Sequence, residues 1–285
     1  MNLFLKKIIK LAAKYGFFLS IFAVSYGENV YADVCEENPS SFNSDCYVTP
    51  ATYKIRIYEM GLCTSDPLAG INTDGEGVIS DNSIDESSCS PTFKSSSGFL
   101  IDLAGFTEQN LVGENISPPP GTYSSGYIKM KNTFGLKGSY TINNKTYYSQ
   151  SDGSPGASGS YSEFLDTLND FSGLGSCTSD PSMFAWEVFT TGVTGTTKGS
   201  LAIVNGGNLG TYSGASASEC GSTNHLFVNF TPTSPIIIKE NTKGLQVNFV
   251  IKDSGLVVGD GGNSSTGGIS NFLAGPPRLN FSVFW

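Results

Sequence analysis

The residues of this chain whose types and spacing could do chemistry are few. Asn72-x-Asp74-Gly75-Glu76, with Asp81 further on, has the oxygen donors of a calcium loop. Gly75 stands where such a loop turns tightly, and Asp81 stands where its terminal acid would sit. Gly70, however, occupies the place of the first carboxylate, so the set is incomplete. Weak Ca2+ binding by Asn72, Asp74, Glu76 and Asp81 therefore competes with a merely solvated acidic loop, and the solvated loop is preferred. No other cofactor is expected.

Catalytic candidates are equally sparse. His225 is the only histidine, and no Gly-x-Ser-x-Gly turn accompanies it, so a Ser–His–Asp site has no visible nucleophile. Asp102 sits in the apolar stretch Leu100-Ile101-Asp102-Leu103. A glycosidase would need it to face a second carboxylate, for which Glu187 is one choice. A turn acid is the simpler reading of Asp102, and no catalytic residue is assigned.

Six cysteines, Cys35, Cys46, Cys63, Cys89, Cys177 and Cys220, form an even set. All lie after an N-terminal leader, and an exported chain oxidises such a set to three disulfides. Nearest-neighbour pairing predicts Cys35–Cys46, Cys63–Cys89 and Cys177–Cys220, one of fifteen connectivities. Zinc is disfavoured because the chain has no Cys-x-x-Cys and a single histidine. The leader itself is explicit: Lys6, Lys7, Lys10 and Lys14 precede an apolar run from Tyr15 to Tyr26. A small residue, Ala32, closes it, so residues 1–32 read as a signal peptide cleaved before Asp33. The apolar run is too short for a transmembrane helix, and none is expected in the mature chain. The protein is then periplasmic, on the cell surface or extracellular.

Without the leader, twelve basic residues face twenty-four acidic ones. Nucleic acid is excluded as a partner, since phosphate binding is driven by clustered cations. Glycan or protein at the cell surface, or self-assembly, remains. For assembly the candidate is the C-terminal strand, in which Leu279, Phe281, Val283 and Trp285 alternate with polar residues. Three readings of it stand: a core strand (favoured), the closing strand of an outer-membrane barrel, and a strand donated to a neighbouring subunit.

The elements that must position these residues are strands. Short apolar runs recur at Thr52–Tyr58, Phe99–Ile101, Tyr127–Met130, Tyr140–Tyr148 and Phe184–Phe189. Leu201–Val204, Leu226–Phe230, Ile236–Ile238, Leu245–Ile251 and Leu279–Trp285 continue the series, with Gly, Ser, Asn, Asp and Pro between them. That is the pattern of an all-β, disulfide-stapled sandwich. One helix is predicted, where Ser160-x-x-Glu163 offers a capping box. Tyr161, Phe164, Leu165, Leu168 and Phe171 would form its stripe and Gly173 its stop.

Two matches suggest duplication. Cys63-Thr64-Ser65-Asp66-Pro67 recurs as Cys177-Thr178-Ser179-Asp180-Pro181, and Asn132-Thr133-x-Gly135-Leu136 recurs as Asn241-Thr242-x-Gly244-Leu245. The expected organisation is an N-terminal disulfide segment (33–49), a first sandwich unit (50–155), a helical linker (156–175) and a second unit (176–285). A single many-stranded sandwich is the alternative. The repeated pentapeptide reads as a stapled turn in which Asp66 satisfies turn amides.

Pro119-Pro120-Gly121-Thr122-Tyr123, leading into Tyr127-Ile128-Lys129-Met130, resembles a step in transthyretin-like and Cna-B-like (prealbumin-like) sandwiches of bacterial surface proteins. The resemblance covers residues 50–150. It implies a seven-strand-like sandwich used for adhesion, spacing or ligand display. The isopeptide crosslink of some such domains needs a buried lysine, an asparagine and an acid, a triad this sequence does not identify. Together these readings lead to an exported, non-enzymatic binding, adhesion or surface-assembly protein. The alternatives are a secreted carbohydrate-active hydrolase working with paired carboxylates and, less favoured, an outer-membrane barrel.

Overall fold

A computed structural model describes residues 33–69, 84–105, 111–157, 159–168, 186–190, 195–207, 209–214, 222–263 and 266–284. In chain order β1 (Asp33–Val34), β2 (Cys46–Val48) and the long β3 (Thr52–Cys63) lead to β4 (Cys89–Asp102), which ends in a 3-10 turn at Leu103–Gly105. Then come β5 (Glu114–Asn115), β6 (Gly121–Tyr123), β7 (Ser125–Lys131), β8 (Thr133–Lys137), β9 (Ser139–Ile142), β10 (Lys145–Ser149), β11 (Pro155–Gly156) and β12 (Phe164–Thr167). The remainder are β13 (Trp186–Thr190), β14 (Gly195–Asn205), β15 (Thr211–Gly214), β16 (His225–Pro232), β17 (Ile236–Ile238), β18 (Gly244–Val250), β19 (Leu256–Asn263), β20 (Gly268–Ala274) and β21 (Arg278–Phe284). The chain is thus all-β with several sheets, and the described strands do not close into a barrel. Among the described residues no helix is long and apolar enough to cross a membrane.

The organising strand is β3. Its residues Tyr53, Ile55 and Ile57 alternate inward, and burial is nearly complete along its length. One edge pairs with β4 from Lys54↔Asp102 to Cys63↔Cys89. The other edge pairs first with β8 and then with β7, two strands that meet at Asn132. There the sheet forks: β12 continues from β8, whereas β16, β14 and β13 continue from β7. Asn132 fills the fork. Its side-chain Nδ2 donates to Leu168 O (3.0 Å) and Thr223 O (3.3 Å), while its backbone carbonyl accepts from Leu168 N at 2.8 Å. One buried side chain thereby satisfies carbonyls of both branches, which have no strand neighbour at the split.

One face of this sheet is apolar. Ile57, Met130, Leu226 and Leu201 share it across four strands, joined by Ile128, Val228 and Phe230. It packs with Leu256, Val258, Ile269 and Phe272 of the β1–β2–β19–β20 sheet and with Tyr140, Ile142 and Tyr147 of the β9–β10–β11 sheet. Leu279 of β21 joins the same cluster. The β9–β10 hairpin turns on Asn143 and Asn144, whose φ values of 47° and 60° suit asparagine in a two-residue turn.

The predicted helix is not there. Over its described part the chain is extended, and Phe164–Thr167 pairs antiparallel with β8. Alternation wins over the helical stripe: Phe164 is buried, Leu165 is exposed and Asp166 turns back to accept from Ala274 N at 2.6 Å. Glu163 does not cap; its Oε2 lies 2.6 Å from Lys54 Nζ on β3. The open edge of β8 offered backbone partners that a short amphipathic helix could not match. Phe171 and Gly173 lie outside the described residues.

Strands of both expected sandwich units share the large sheet, because β7 pairs with β16 along six residue pairs. The described strands belong to one compact unit. The two matched Asn-Thr-x-Gly-Leu segments sit differently: Asn132 is buried at the fork, whereas Asn241 is exposed in the turn before β18. Two predicted disulfides are present, Cys35–Cys46 and Cys63–Cys89, with Cα separations of 4.9 and 4.0 Å. Cys177 and Cys220 lie outside the described residues, as do residues 1–32.

Candidate functional site

The second face of the large sheet is polar, and its strand register explains why. Lys94 of β4, Glu59 of β3, Lys129 of β7, Phe227 of β16 and Ser200 of β14 stand side by side in one row. Glu59 is flanked by a lysine on each neighbouring strand. Lys129 Nζ lies 3.0 Å from Glu59 Oε1 and 2.5 Å from Glu86 Oε2, and Lys94 Nζ lies 3.5 Å from Glu59 Oε2. Lys129 and Glu59 are almost wholly buried. Their pairing offsets a desolvation cost that either charge alone would bear in full.

Tyr127 completes the network. Its ring stacks on Phe227 with centroids 5.5 Å apart, and its hydroxyl donates to Glu59 Oε1 at 2.7 Å. Burial, helped by the adjacent Glu59 carboxylate, holds the phenol well above its ordinary pKa, so it stays a donor. The ring reaches Glu59 by crossing Gly61. A Cβ at that glycine would fall 2.4 Å from the ring and 2.4 Å from Ser90 O.

The Cys63–Cys89 disulfide closes a strap whose two described ends, residues 64–69 and 84–88, meet this face. Its start is a stapled turn: Asp66 Oδ1 accepts from Leu68 N at 2.9 Å, and Leu68 is buried against Tyr127 and Phe227. The same carboxylate crosses to the sheet, where Lys198 Nζ lies 2.6 Å from Oδ2 and Asn229 Nδ2 donates to Oδ1 at 2.9 Å. At the far end Glu86 meets Lys129. Beside the Glu86 end of the strap opens a pocket of about 460 Å³, lined by Glu59, Glu86, Lys94, Lys129, Pro91 and Leu209 among others.

The residues singled out in the sequence fall elsewhere. Asn72, Asp74, Glu76 and Asp81 lie outside the described residues. Asp102 closes the end of β4, accepting from Tyr53 N and Ala104 N at 3.0 Å each. It is five strand steps from Glu187 across β3, β7, β16 and β14, roughly 24 Å at the usual inter-strand spacing. Those two acids do not face each other. His225 is buried beside the Tyr58 ring, with Nδ1 hydrogen-bonded to Asn224 Oδ1. Burial and the nearby Lys131 push its pKa down to about 4. Leu279 is buried, Val283 packs near Leu62 and Ile236, and β21 pairs with β18 of its own chain from Arg278 to Phe284. Trp285 lies outside the described residues.

Sequence reasoning missed Glu59 and Lys129 as a pair. The available signal was a lone acid in Ile57-Tyr58-Glu59-Met60 and a lone base in Ile128-Lys129-Met130, each inside an otherwise apolar strand. Among the described residues no cluster of three His, Cys, Asp or Glu side chains is placed to hold a metal. No known protein family, curated relative or solved structure matches this chain.

Proposed function

We propose that this is an exported, non-enzymatic binding protein whose contacts are made at the polar, strapped face of the large sheet, in an adhesion or surface-assembly setting. The observation that carries the reading is the pocket beside the Cys63–Cys89 disulfide, lined by Glu59, Glu86, Lys94 and Lys129. The described residues near the disulfide are tied to the sheet, Asp66 to Lys198 and Asn229, and Glu86 to Lys129. Ion pairs and the disulfide hold the lining side chains Glu59, Lys129, Glu86 and Cys89 in place, and a preorganised lining lowers the entropic cost of binding. The two disulfides and the N-terminal leader support an oxidising, extracytoplasmic setting.

The hydrolase reading has one observation in its favour. Glu59 and Glu86 both approach the same Lys129 ammonium, so two carboxylates line one pocket. Yet that ammonium fills the gap in which a glycosidic oxygen would have to sit between them, and both acids are engaged in holding it. Asp102 is spent on two backbone amides, and His225 is packed against Tyr58. These engagements favour binding over turnover.

The test is made on the full chain exported into an oxidising compartment. Light scattering coupled to size exclusion, followed by a reducing-end assay on soluble polysaccharides, separates the readings. A defined species that releases no reducing ends is expected. Sustained release that Glu59→Gln abolishes would replace the binder with the hydrolase.

A further inference from the structure

We infer that the pocket lined by Glu59, Glu86, Lys94 and Lys129 takes a neutral carbohydrate unit, a ligand class that rests on the binding reading above. Its volume of about 460 Å³ falls in the range of small-ligand sites and admits about one or two hexose rings.

Charge selects the class. Two carboxylates, Glu59 and Glu86, and two ammonium groups, Lys94 and Lys129, line the space, and their formal charges cancel. An anionic ligand would have to compete with Glu59 and Glu86 for the lysines; a metal cation would meet two ammonium groups. A ligand with hydroxyls in place of charges disturbs neither pair.

The spare hydrogen-bonding capacity points the same way. Lys129 is sequestered, but the Lys94 side chain is 36 % exposed and its contact with Glu59 is long at 3.5 Å. Ammonium donors therefore remain to be used. Glu86 is 29 % exposed and binds Lys129 through Oε2. One cationic donor and one carboxylate acceptor in the same lining suit a pair of neighbouring hydroxyls, each of which both accepts and donates. Ile84, Pro91 and Leu209 add apolar surface, and Leu209 is exposed. They can cover the C–H face of a sugar ring, which a purely ionic pocket would leave wet.

The experiment titrates neutral methyl glycosides of glucose, galactose, mannose and N-acetylglucosamine, with their disaccharides, into the exported full chain. It is followed by ligand-observed NMR. Saturable binding near the millimolar range is expected, weakened about tenfold or more by Lys94→Met and by Glu86→Gln. Lys94→Met leaves the buried Lys129–Glu59 pair in place, so its thermal unfolding should match the parent and a loss of binding is not a loss of fold. No saturable binding by any glycoside would overturn the ligand class and leave the binding reading standing. Binding that neither variant weakens would overturn the site. Slow cleavage of a bound disaccharide would keep the ligand class and overturn the non-enzymatic reading.

Discussion

The two faces of the large sheet are built from the same strands yet solve burial in opposite ways. On the apolar face Ile57, Met130, Leu226 and Leu201 meet the other sheets, and stability comes from area removed from water. On the other face Glu59, Lys129, Tyr127, Asn229 and Lys198 are also buried or nearly so, but with charged partners, Asp66 and Glu86, brought from outside the sheet. The first face is held by non-directional packing and tolerates shape-conserving change. The second is held by directional partners, so each residue depends on a named other. Folding alone does not require that arrangement, since a packed apolar face stabilises at least as well. The polar face is therefore where function is to be sought.

The sharpest way to break the comparison is to remove one charge. Lys129→Met should cost about 3–5 kcal/mol, because it leaves Glu59 buried without its main partner. The double variant Lys129→Met, Glu59→Leu should recover much of that loss. On the apolar face Leu226→Ala should cost a similar 2–5 kcal/mol or so, but no second substitution at Met130 should restore it. Urea unfolding of these variants against the parent checks the contrast. Equal losses in the single and double charge variants would show that the network is not coupled.

The strap comes next. Replacing Cys63 and Cys89 by serine opens a loop with a sequence separation of 26, and the chain-entropy estimate for such a loop is about 3 kcal/mol. The local effect should exceed the global one. With its staple gone, the strap should be cut by a protease under native conditions while the apolar face stays protected, as hydrogen exchange would report. Serine variants of Cys35 and Cys46, which tie β1 to β2, should leave the strap intact.

The fork gives a smaller effect. Asn132→Ala should cost about 1–3 kcal/mol through the carbonyls of Leu168 and Thr223 that lose their donor. Because the fork joins the β12 branch to the β16 branch, hydrogen exchange at Leu168 and Asn224 should rise before exchange within β3 does. Uniform loosening of the whole sheet would argue against a local keystone.

How much of this was legible depends on which forces set each element. Period-two runs such as Tyr53, Ile55, Ile57 and Leu226–Phe230 located their strands, because one face of each was destined for the core. Local loop closure located the two observed disulfides. The sequence read Phe164, Leu165 and Leu168 as one helical face, and the structure made Phe164–Thr167 a strand, because the waiting edge of β8 is invisible in a local window. β19 and β20 were missed for another reason: Gly259, Gly261 and Gly262 dilute the apolar pattern of β19, and its register shifts through bulges. The polar pocket was the least legible. Glu59 and Lys129 are seventy positions apart, and only the β3–β7 register brings them together.

His225 offers the finest probe of the comparison, because it lies at the end of the polar face, where Lys131, Asn224 and Tyr58 surround it. Its folded pKa is lowered to about 4 from an ordinary 6.5, burial being the larger cause and Lys131 the smaller. Above pH 6.5 the ring is neutral in both states and contributes no pH dependence. As pH falls from 6.5 towards 4, the unfolded chain takes up a proton that the folded protein refuses, so stability drops across that window. The loss attributable to this residue should be on the order of 1–2 kcal/mol. Unfolded carboxylates take up protons in the lower part of the same window, so the wild type alone does not isolate the contribution of His225. The difference between wild type and His225→Gln does. Urea midpoints at pH 7 and pH 4.5 should fall less for His225→Gln than for the parent, and equal falls would mean that the imidazole accepts its proton without leaving its place beside Tyr58.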